Sequence, residues 1–253
     1  MRLAILGLGE AGRRYGADLA AVGWQVTGYD PAPVPTPPAV VRVPSIRDAV
    51  ADAELVISLT GSRFAETAAE DAAGALAGGA CFADFNTAAP AVKRAVAARV
   101  RRACVADVAV LAPVPRLGAA TPLLVSGDGA DAVAVAFRSI GAEVDVLDEP
   151  VGAAASRKLL RSVFMKGLAA TVLEAMTAAT AAGCGDWMRA QVAGELGPDG
   201  AELVERLITG SRRHAARRID EVRASRDHLA ELGVPTPICD AALRWLTVVA
   251  REG

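Results

Sequence analysis

Lys158, Ser162 and Lys166 recur at four-residue spacing in the segment GAAASRKLLRSVFMKG, residues 152–167. On a helix such positions share one stripe, so all three side chains project to the same side. Leu159, Leu160, Val163 and Phe164 take most of the remaining circumference, and the segment reads as largely buried helix carrying two ammonium groups. Desolvation disfavours the charged form of a lysine and lowers its pKa. A lysine tuned in this way exchanges a proton with a hydroxyl near neutral pH. The pattern would allow Lys158 to act as a general acid/base, with Ser162 and Lys166 beside a substrate. The competing use of both lysines is to carry their charge to solvent along the stem, and from the residues alone the two uses stay open for both.

A second pattern is Gly7-Leu8-Gly9-Glu10-Ala11-Gly12. It closes an apolar run, RLAILGLG, opens a helix-like stretch, and is followed about twenty residues on by Asp30 at the end of a second apolar run. That order of strand, glycine turn, helix and acidic residue is the dinucleotide-binding fingerprint. Gly7 permits the tight turn, Gly9 leaves room for a pyrophosphate, and Gly12 lets helix and strand pack closely. The free N–H groups at the helix start face the phosphates. A carboxylate at Asp30 accepts hydrogen bonds from both ribose hydroxyls and repels a 2′-phosphate. No arginine offsets that repulsion before Arg42, so the sequence favours NAD over NADP. Ser58, Thr60 and Gly61 end a third run and are expected to border the cofactor, because ligands of open parallel sheets lie beyond the carboxyl ends of the strands.

The elements that must hold these residues follow from the periodicity. Apolar strand-like runs at 2–9, 25–30, 54–61, 80–86, 104–111, 122–127 and 142–148 alternate with helix-like stretches at 11–22, 45–51, 63–76, 90–102 and 130–140. Alternation of this kind predicts right-handed crossovers and a doubly wound, mostly parallel sheet of the Rossmann type. The proline run PAPVPTPP, 31–38, is a stiff extended connection. Beyond residue 150 only helical patterns remain, at roughly 152–182, 186–196, 199–232 and 238–251. The expected organisation is a dinucleotide-binding domain, 1–150, followed by an all-helical C-terminal domain, 151–253.

Composition narrows the function classes. A formal net charge of −2 argues against a nucleic-acid binder. The 53 % hydrophobic content is rich in alanine, and no long uncharged apolar stretch predicts a membrane span. The N-terminus enters a strand directly and lacks a secretory pattern. The four cysteines, Cys81, Cys104, Cys184 and Cys239, have no paired metal spacing; they read as small buried residues of a cytoplasmic protein, and no metal site is expected. In SRRHAARRIDEV, 211–222, His214 and Arg218 are spaced i, i+4, as are Arg217 and Glu221. Guanidinium groups in that pattern suit a substrate carboxylate or phosphate; the same pattern also describes a salt-bridged exposed helix.

Four places in order resemble the β-hydroxyacid dehydrogenase family, which includes 3-hydroxyisobutyrate and 6-phosphogluconate dehydrogenases. They are the fingerprint at 7–12, the DFNTAAP segment at 84–90, the segment DVAVLAPVPRLGAATPLLVSG at 107–127, and GAAASRK at 152–158, with a glycine six residues before the lysine. The pairing of SRKLLRSVFMKG with SRRHAARRIDEV resembles a less characterised, phosphogluconate-dehydrogenase-like branch. The resemblance implies Lys158 as the catalytic lysine and Asn86, Thr87 and Ser162 as substrate contacts. Three positions depart from the family: Ser162 replaces an asparagine, Asn86 replaces a serine, and Leu111-Ala112-Pro113 replaces a glycine-rich loop with more backbone donors. The expectation is an NAD-linked oxidoreductase for a small hydroxy acid or related carbonyl compound. Its alternatives are an imine reductase and a dinucleotide sensor without turnover. The apolar helical half predicts a homodimer through that domain.

Overall fold

The computed structural model describes residues 1–252. The chain forms two compact units, Met1–Lys158 and the residues from Leu159 onward.

The first unit is built in the order β1 (Arg2–Leu6), α1 (Glu10–Ala21), β2 (Gln25–Tyr29), β3 (Val40–Arg42), α2 (Ile46–Val50), β4 (Leu55–Ser58), α3 (Ala65–Ala73), β5 (Cys81–Asp84), α4 (Pro90–Arg99), β6 (Cys104–Val110), α5 (Val114–Leu117), β7 (Leu123–Ser126), α6 (Ala130–Arg138) and β8 (Val144–Val146). The start of α7 (Ala153–Ala181) completes it. The sheet runs β3-β2-β1-β4-β5-β6-β7-β8. Every neighbouring pair is parallel except β6 and β7. This is the expected mostly parallel, Rossmann-type sheet.

Burial on both faces explains why the strands read as continuous apolar runs. In β1, Leu3 and Ile5 enter one core layer with Leu19, Phe85 and Phe137, while Ala4 and Leu6 enter the other with Val56, Phe82 and Val96. Each fully buried Leu, Ile or Phe contributes about 1.5–3 kcal/mol of transfer free energy. The helix starts are local decisions. Ser45 caps α2 by accepting a hydrogen bond from the Asp48 N–H, and Pro90 opens α4 where no intrahelical donor is needed.

Two elements of this unit differ from the sequence reading. Val40–Arg42 forms an edge strand, too short to carry a period and masked by the preceding prolines. The segment after β6, expected to be a loop, holds α5 and a 3₁₀ turn at Gly118–Ala120. That turn docks on α1 through the Asp18 carboxylate, which accepts from the Ala119 N–H at 2.9 Å.

The helical unit contains the rest of α7, then α8 (Gly185–Glu195), α9 (Gly200–Arg213), α10 (Ala215–Glu231) and α11 (Pro237–Glu252). Val172, Leu173 and Met176 of α7 pack with Val204, Leu207 and Ile208 of α9. Ala170 packs with Val222 and Leu229 of α10 and Cys239, Ala242 and Leu246 of α11. The single helix expected over 199–232 is broken at His214, whose backbone leaves helical geometry at φ −125°. Gly210 and Ser211 stand just before the break, and the Arg218 guanidinium reaches back to the Ser211 hydroxyl at 2.5 Å. A Gly/Ser pair with a side chain folded into the ladder is a recognised origin of such kinks. Among the described residues no helix is long and apolar enough to cross a membrane.

Candidate functional site

The β1–α1 turn carries the glycine pattern. Gly7 adopts φ +98°, and a Cβ there would stand 2.6 Å from the Leu59 carbonyl oxygen. A Cβ at Gly12 would collide with the Gly7 carbonyl oxygen, so any side chain there forces strand and helix apart. Gly9 differs. It is exposed and opens α1, and a Cβ there would meet nothing within 4 Å. Steric necessity at Gly7 and Gly12 frames an open position at Gly9, beside the N–H groups of Glu10 and Ala11 that start the helix. That is the room and the donor set a pyrophosphate requires. Leu8 is fully buried beneath the turn.

Asp30 ties the turn to the second strand. One carboxylate oxygen accepts from the Leu8 N–H and the other from the Ala32 N–H, each at 2.8 Å. Each oxygen retains a lone pair for a hydroxyl. Arg42, from the edge strand, turns its guanidinium into the following loop. It donates to the carbonyls of Val34 and Asp30 at 2.7 Å, of Ala32 at 2.5 Å, and to the Thr36 hydroxyl at 3.4 Å. The loop after β2 therefore takes up four hydrogen bonds of that guanidinium.

At the carboxyl ends of β4 and β5, Asn86 is the knot. Its side-chain oxygen accepts from the Gly61 N–H at 2.6 Å, and its amide nitrogen donates to the Ser58 hydroxyl at 3.2 Å and to Asp84 at 2.7 Å. Asn86 is 4 % exposed and Ser58 is fully buried. Gly61 needs its φ of +88° to turn toward this knot. Both amide donors of Asn86 are thus used within the protein. Thr87, one residue on, is partly exposed. The Thr60 hydroxyl oxygen is buried and finds no hydrogen-bond partner among the described residues.

Beneath the knot lies a cluster that motif spacing does not reveal. Asp84 and Asp107 are register partners on β5 and β6, and Lys93 of α4 sits between them. The ammonium lies 3.2 Å from each carboxylate and donates to the Asp84 carbonyl at 2.7 Å. All three side chains are at most 2 % exposed. The free carboxylate edges face backbone. Asp84 accepts from the Asn86 N–H at 2.9 Å. Asp107 accepts from the N–H groups of Gly152 and Ala155 at 3.1 and 2.9 Å, and Ser126 accepts from the Ala154 N–H at 3.1 Å. A carboxylate at the start of α7 also complements the positive end of the helix dipole. One cluster therefore fixes Asn86 and the first turn of the helix bearing Lys158. The available signal was a charged residue inside each of two apolar strands, CFAD and CVAD, which demands a buried cation.

Lys158 follows that first turn and is partly buried. Because α7 is unbroken from Ala153 to Ala181, the spacing to Ser162 and Lys166 keeps all three on one stripe, and both of these are also partly buried. The apolar residues beside them are not all covered: Leu160 is 44 % and Phe164 67 % exposed. This corrects the reading of a mostly buried segment.

In the helical unit, the Lys166 ammonium lies 2.8 Å from Glu221, and Arg217 approaches the same carboxylate at 3.7 Å. Arg218 lies against Gly210 on its way to Ser211. The kink at His214 brings Arg218 into this cluster, while His214 itself occupies the junction of α9 and α10. Burial holds Lys166 below the usual lysine pKa, the nearby guanidinium groups lower it further, and Glu221 opposes both.

Comparison with known proteins places this arrangement in a populated fold. Residues 179–249 match the family described as "Domain of unknown function (DUF1932)". Among curated proteins the chain has no match. A conserved hypothetical protein from Sinorhizobium meliloti 1021 is 26 % identical with a TM-score of 0.75, over 98 % of this chain and 87 % of that one. A 3-hydroxyisobutyrate dehydrogenase from Mycobacterium tuberculosis, solved with L-serine, has a TM-score of 0.82 at 21 % identity, over 99 % of this chain and 94 % of that one. Psf3, solved in complex with NADP+ and 2-OPP, has a TM-score of 0.74 at 16 % identity, over 99 % of this chain and 94 % of that one. The chain has the fold of these three proteins along nearly its whole length.

Proposed function

We propose that the protein is an NAD-linked oxidoreductase acting on a small hydroxy acid or related carbonyl compound, with Lys158 as the general acid/base. The observation that carries the reading is the β1–α1 turn, where side chains are excluded at Gly7 and Gly12 while Gly9 borders open space at a helix N-terminus. Residues 1–150 are the nucleotide-binding domain, and 151–253 supply substrate contacts and dimerisation. A nicotinamide dinucleotide, when bound, supplies the hydride acceptor. The chain's own residues do the rest. The N–H groups at the start of α1 hold the pyrophosphate, and the remaining lone pairs of Asp30 hold the ribose hydroxyls. The unpartnered Thr60 hydroxyl offers a further contact. Lys158 takes the proton from the substrate hydroxyl during oxidation and returns it during reduction.

Asn86 acts by holding Gly61, Ser58 and Asp84 in place, and Thr87 and Ser162 are the direct contacts. Lys166, Arg217 and Arg218, with His214 at the kink, suit an anionic substrate group. NAD is preferred to NADP because Asp30 repels a 2′-phosphate, and Arg42, spent on loop acceptors, does not offset it. Leu160 and Phe164, exposed one turn apart, and Ile238, exposed on α11 against Gly167, form an apolar patch suited to a second copy of the chain. Light scattering should find a dimer; a stable monomer at micromolar concentration refutes it.

The decisive experiment pairs calorimetry with turnover. NAD should bind at least about tenfold more tightly than NADP, roughly 1.4 kcal/mol. Lys158→Met should retain that affinity and lose about 10²-fold or more in turnover on whichever hydroxy acid or cyclic imine the parent accepts. A folded Lys158→Met protein with parental turnover removes the catalytic assignment. Tight NAD binding with no turnover on either substrate class makes the protein a dinucleotide sensor.

A further inference from the structure

The β5–β6 pair begins, as well as ends, on a matched pair of side chains. Cys81 and Cys104 are the first residues of their strands and are register partners. Both pack on the same core layer, so both side chains leave the same face of the sheet. Asp84 and Asp107 stand three residues further along, on the opposite face and at the opposite end. Neighbouring strands lie roughly 4.8 Å apart, within the Cα separation of about 4.4–6.8 Å that a disulfide spans. Both thiols are free, and each donates to a backbone carbonyl, Cys81 to Gly129 and Cys104 to Ala80, each at 3.6 Å. Cys81 is 3 % exposed, whereas Cys104 is only partly buried. Gly78 and Gly79 precede Cys81, and a Cβ at either would meet nothing within 4 Å.

We infer that Cys81 and Cys104 form a cross-strand dithiol site that closes reversibly to a disulfide under peroxide, with Cys104 as the attacking sulfur and Cys81 as the resolving one. The neighbouring Cys81 thiol holds Cys104 below the usual thiol range, while Cys104, with burial, pushes Cys81 up. Asp128, whose carboxylate accepts from the Val105 N–H at 2.7 Å, opposes ionisation of both sulfurs. The more exposed thiol is thus the one that ionises and the one an oxidant reaches. The Cys104 thiolate attacks one peroxide oxygen and becomes a sulfenic acid, and hydroxide leaves to be protonated to water. The Cys81 sulfur then displaces the sulfenic hydroxyl, forming the S–S bond and releasing a second water. The two thiols lose two electrons and two protons, and peroxide is reduced to two waters. A small-molecule dithiol reverses the step by exchange. Positions at the start of both strands put this chemistry at the sheet edge opposite the carboxyl ends that carry the proposed nucleotide site, so it stands independently of that proposal.

Brief treatment of the full-length protein with hydrogen peroxide, then alkylation and peptide mapping, tests the inference. The expected result is a mass loss of about 2 Da, the two hydrogens of disulfide formation. It should map to one peptide pair joining residues 81 and 104 and be restored by dithiothreitol, with Cys184 and Cys239 still alkylated. In Cys81→Ala the resolving sulfur is gone, and Cys104 should accumulate as a sulfenic acid that dimedone traps. In Cys104→Ser, oxidation at Cys81 should slow by at least about tenfold. The inference is overturned if Cys81 and Cys104 both remain alkylatable while Cys184 is oxidised, or if Cys104 pairs with any sulfur other than that of Cys81. The parental protein alone decides between these outcomes should either variant fail to fold.

Discussion

Lys93 and Lys166 are both withdrawn from water, but their company differs in sign. Around Lys93 two carboxylates share one ammonium, all at most 2 % exposed, and the surplus negative charge is met by backbone N–H groups. Around Lys166 one carboxylate faces Lys166 and Arg217, with Arg218 close by, and the Lys166–Glu221 pair remains 18 % and 23 % exposed. The first cluster is closed: it joins β5, β6, α4 and the start of α7 and has no capacity left for a ligand. The second is richer in cations and reachable, as a site for an anionic substrate group must be. A buried lysine by itself distinguishes neither case; the balance of its neighbours does.

The largest expected effect therefore lies away from the chemistry. Lys93→Met leaves Asp84 and Asp107 facing each other across adjacent strands with no cation between them. Breaking a buried ion cluster by removing one partner costs about 3–5 kcal/mol, and denaturant unfolding should read a loss of that size. Nucleotide binding, measured on whatever folded fraction remains, should weaken as Asn86 and Gly61 lose their anchor. A variant within about 1 kcal/mol of the parent would show that the cluster is not the scaffold described.

That cluster also marks where the sequence ran out. The sheet was legible because each central strand is buried on both faces and so reads as an unbroken apolar run. The glycine turn was legible because steric exclusion at Gly7 and Gly12 leaves no other residue type. Val40–Arg42 was hidden because three edge residues next to prolines carry no period. The kink at His214 was hidden because 199–232 has helical periodicity throughout, and only Gly210-Ser211 hinted at the interruption. Lys93 was hidden for a different reason. Its partners lie 9 residues before it and 14 after, and nothing local in an alanine-rich helix separates a buried ammonium from a solvated one. The pairing of Cys81 with Cys104 was likewise invisible before strand register was known, since spacing along the chain says nothing about neighbours across a sheet.

An intermediate effect is expected from Glu221→Gln. Removing the carboxylate that Lys166 and Arg217 share leaves like charges closely packed with Arg218. The loss should be about 1–3 kcal/mol, since a charged, partly buried partner is removed. Added sulfate should recover part of it, because an anion can take the place of the carboxylate among guanidinium groups. Lys93→Met should show no such recovery, since its cluster lacks a cation rather than an anion. Equal sulfate responses in the two variants would erase the distinction between the closed and the open cluster.

The smallest effect tests the sign of the Lys166 environment directly. Its pKa is lowered in the folded state, chiefly by burial and further by Arg218 and Arg217, against the pull of Glu221. The unfolded chain titrates this lysine at its ordinary value of 10.5. Between the lowered value and the ordinary one the unfolded state binds more protons than the folded state, so this residue makes stability rise with pH across that window. Below the window both states are protonated, and the cost of burying the charge is constant and at its fullest. Lys166→Met removes the titrating group, so its stability should exceed the parent's most at neutral pH, and the gap should narrow as pH climbs toward 10.5. The difference should be on the order of 1 kcal/mol, the common size of a point-substitution effect. Groups common to both proteins cancel in the comparison. Saturating sulfate should shrink the gap, because an anion beside Lys166 favours its protonated form in the folded state. A gap that stays constant with pH would mean that Lys166 titrates alike in the folded and unfolded chain, and its surroundings would then carry no net cost for the charge.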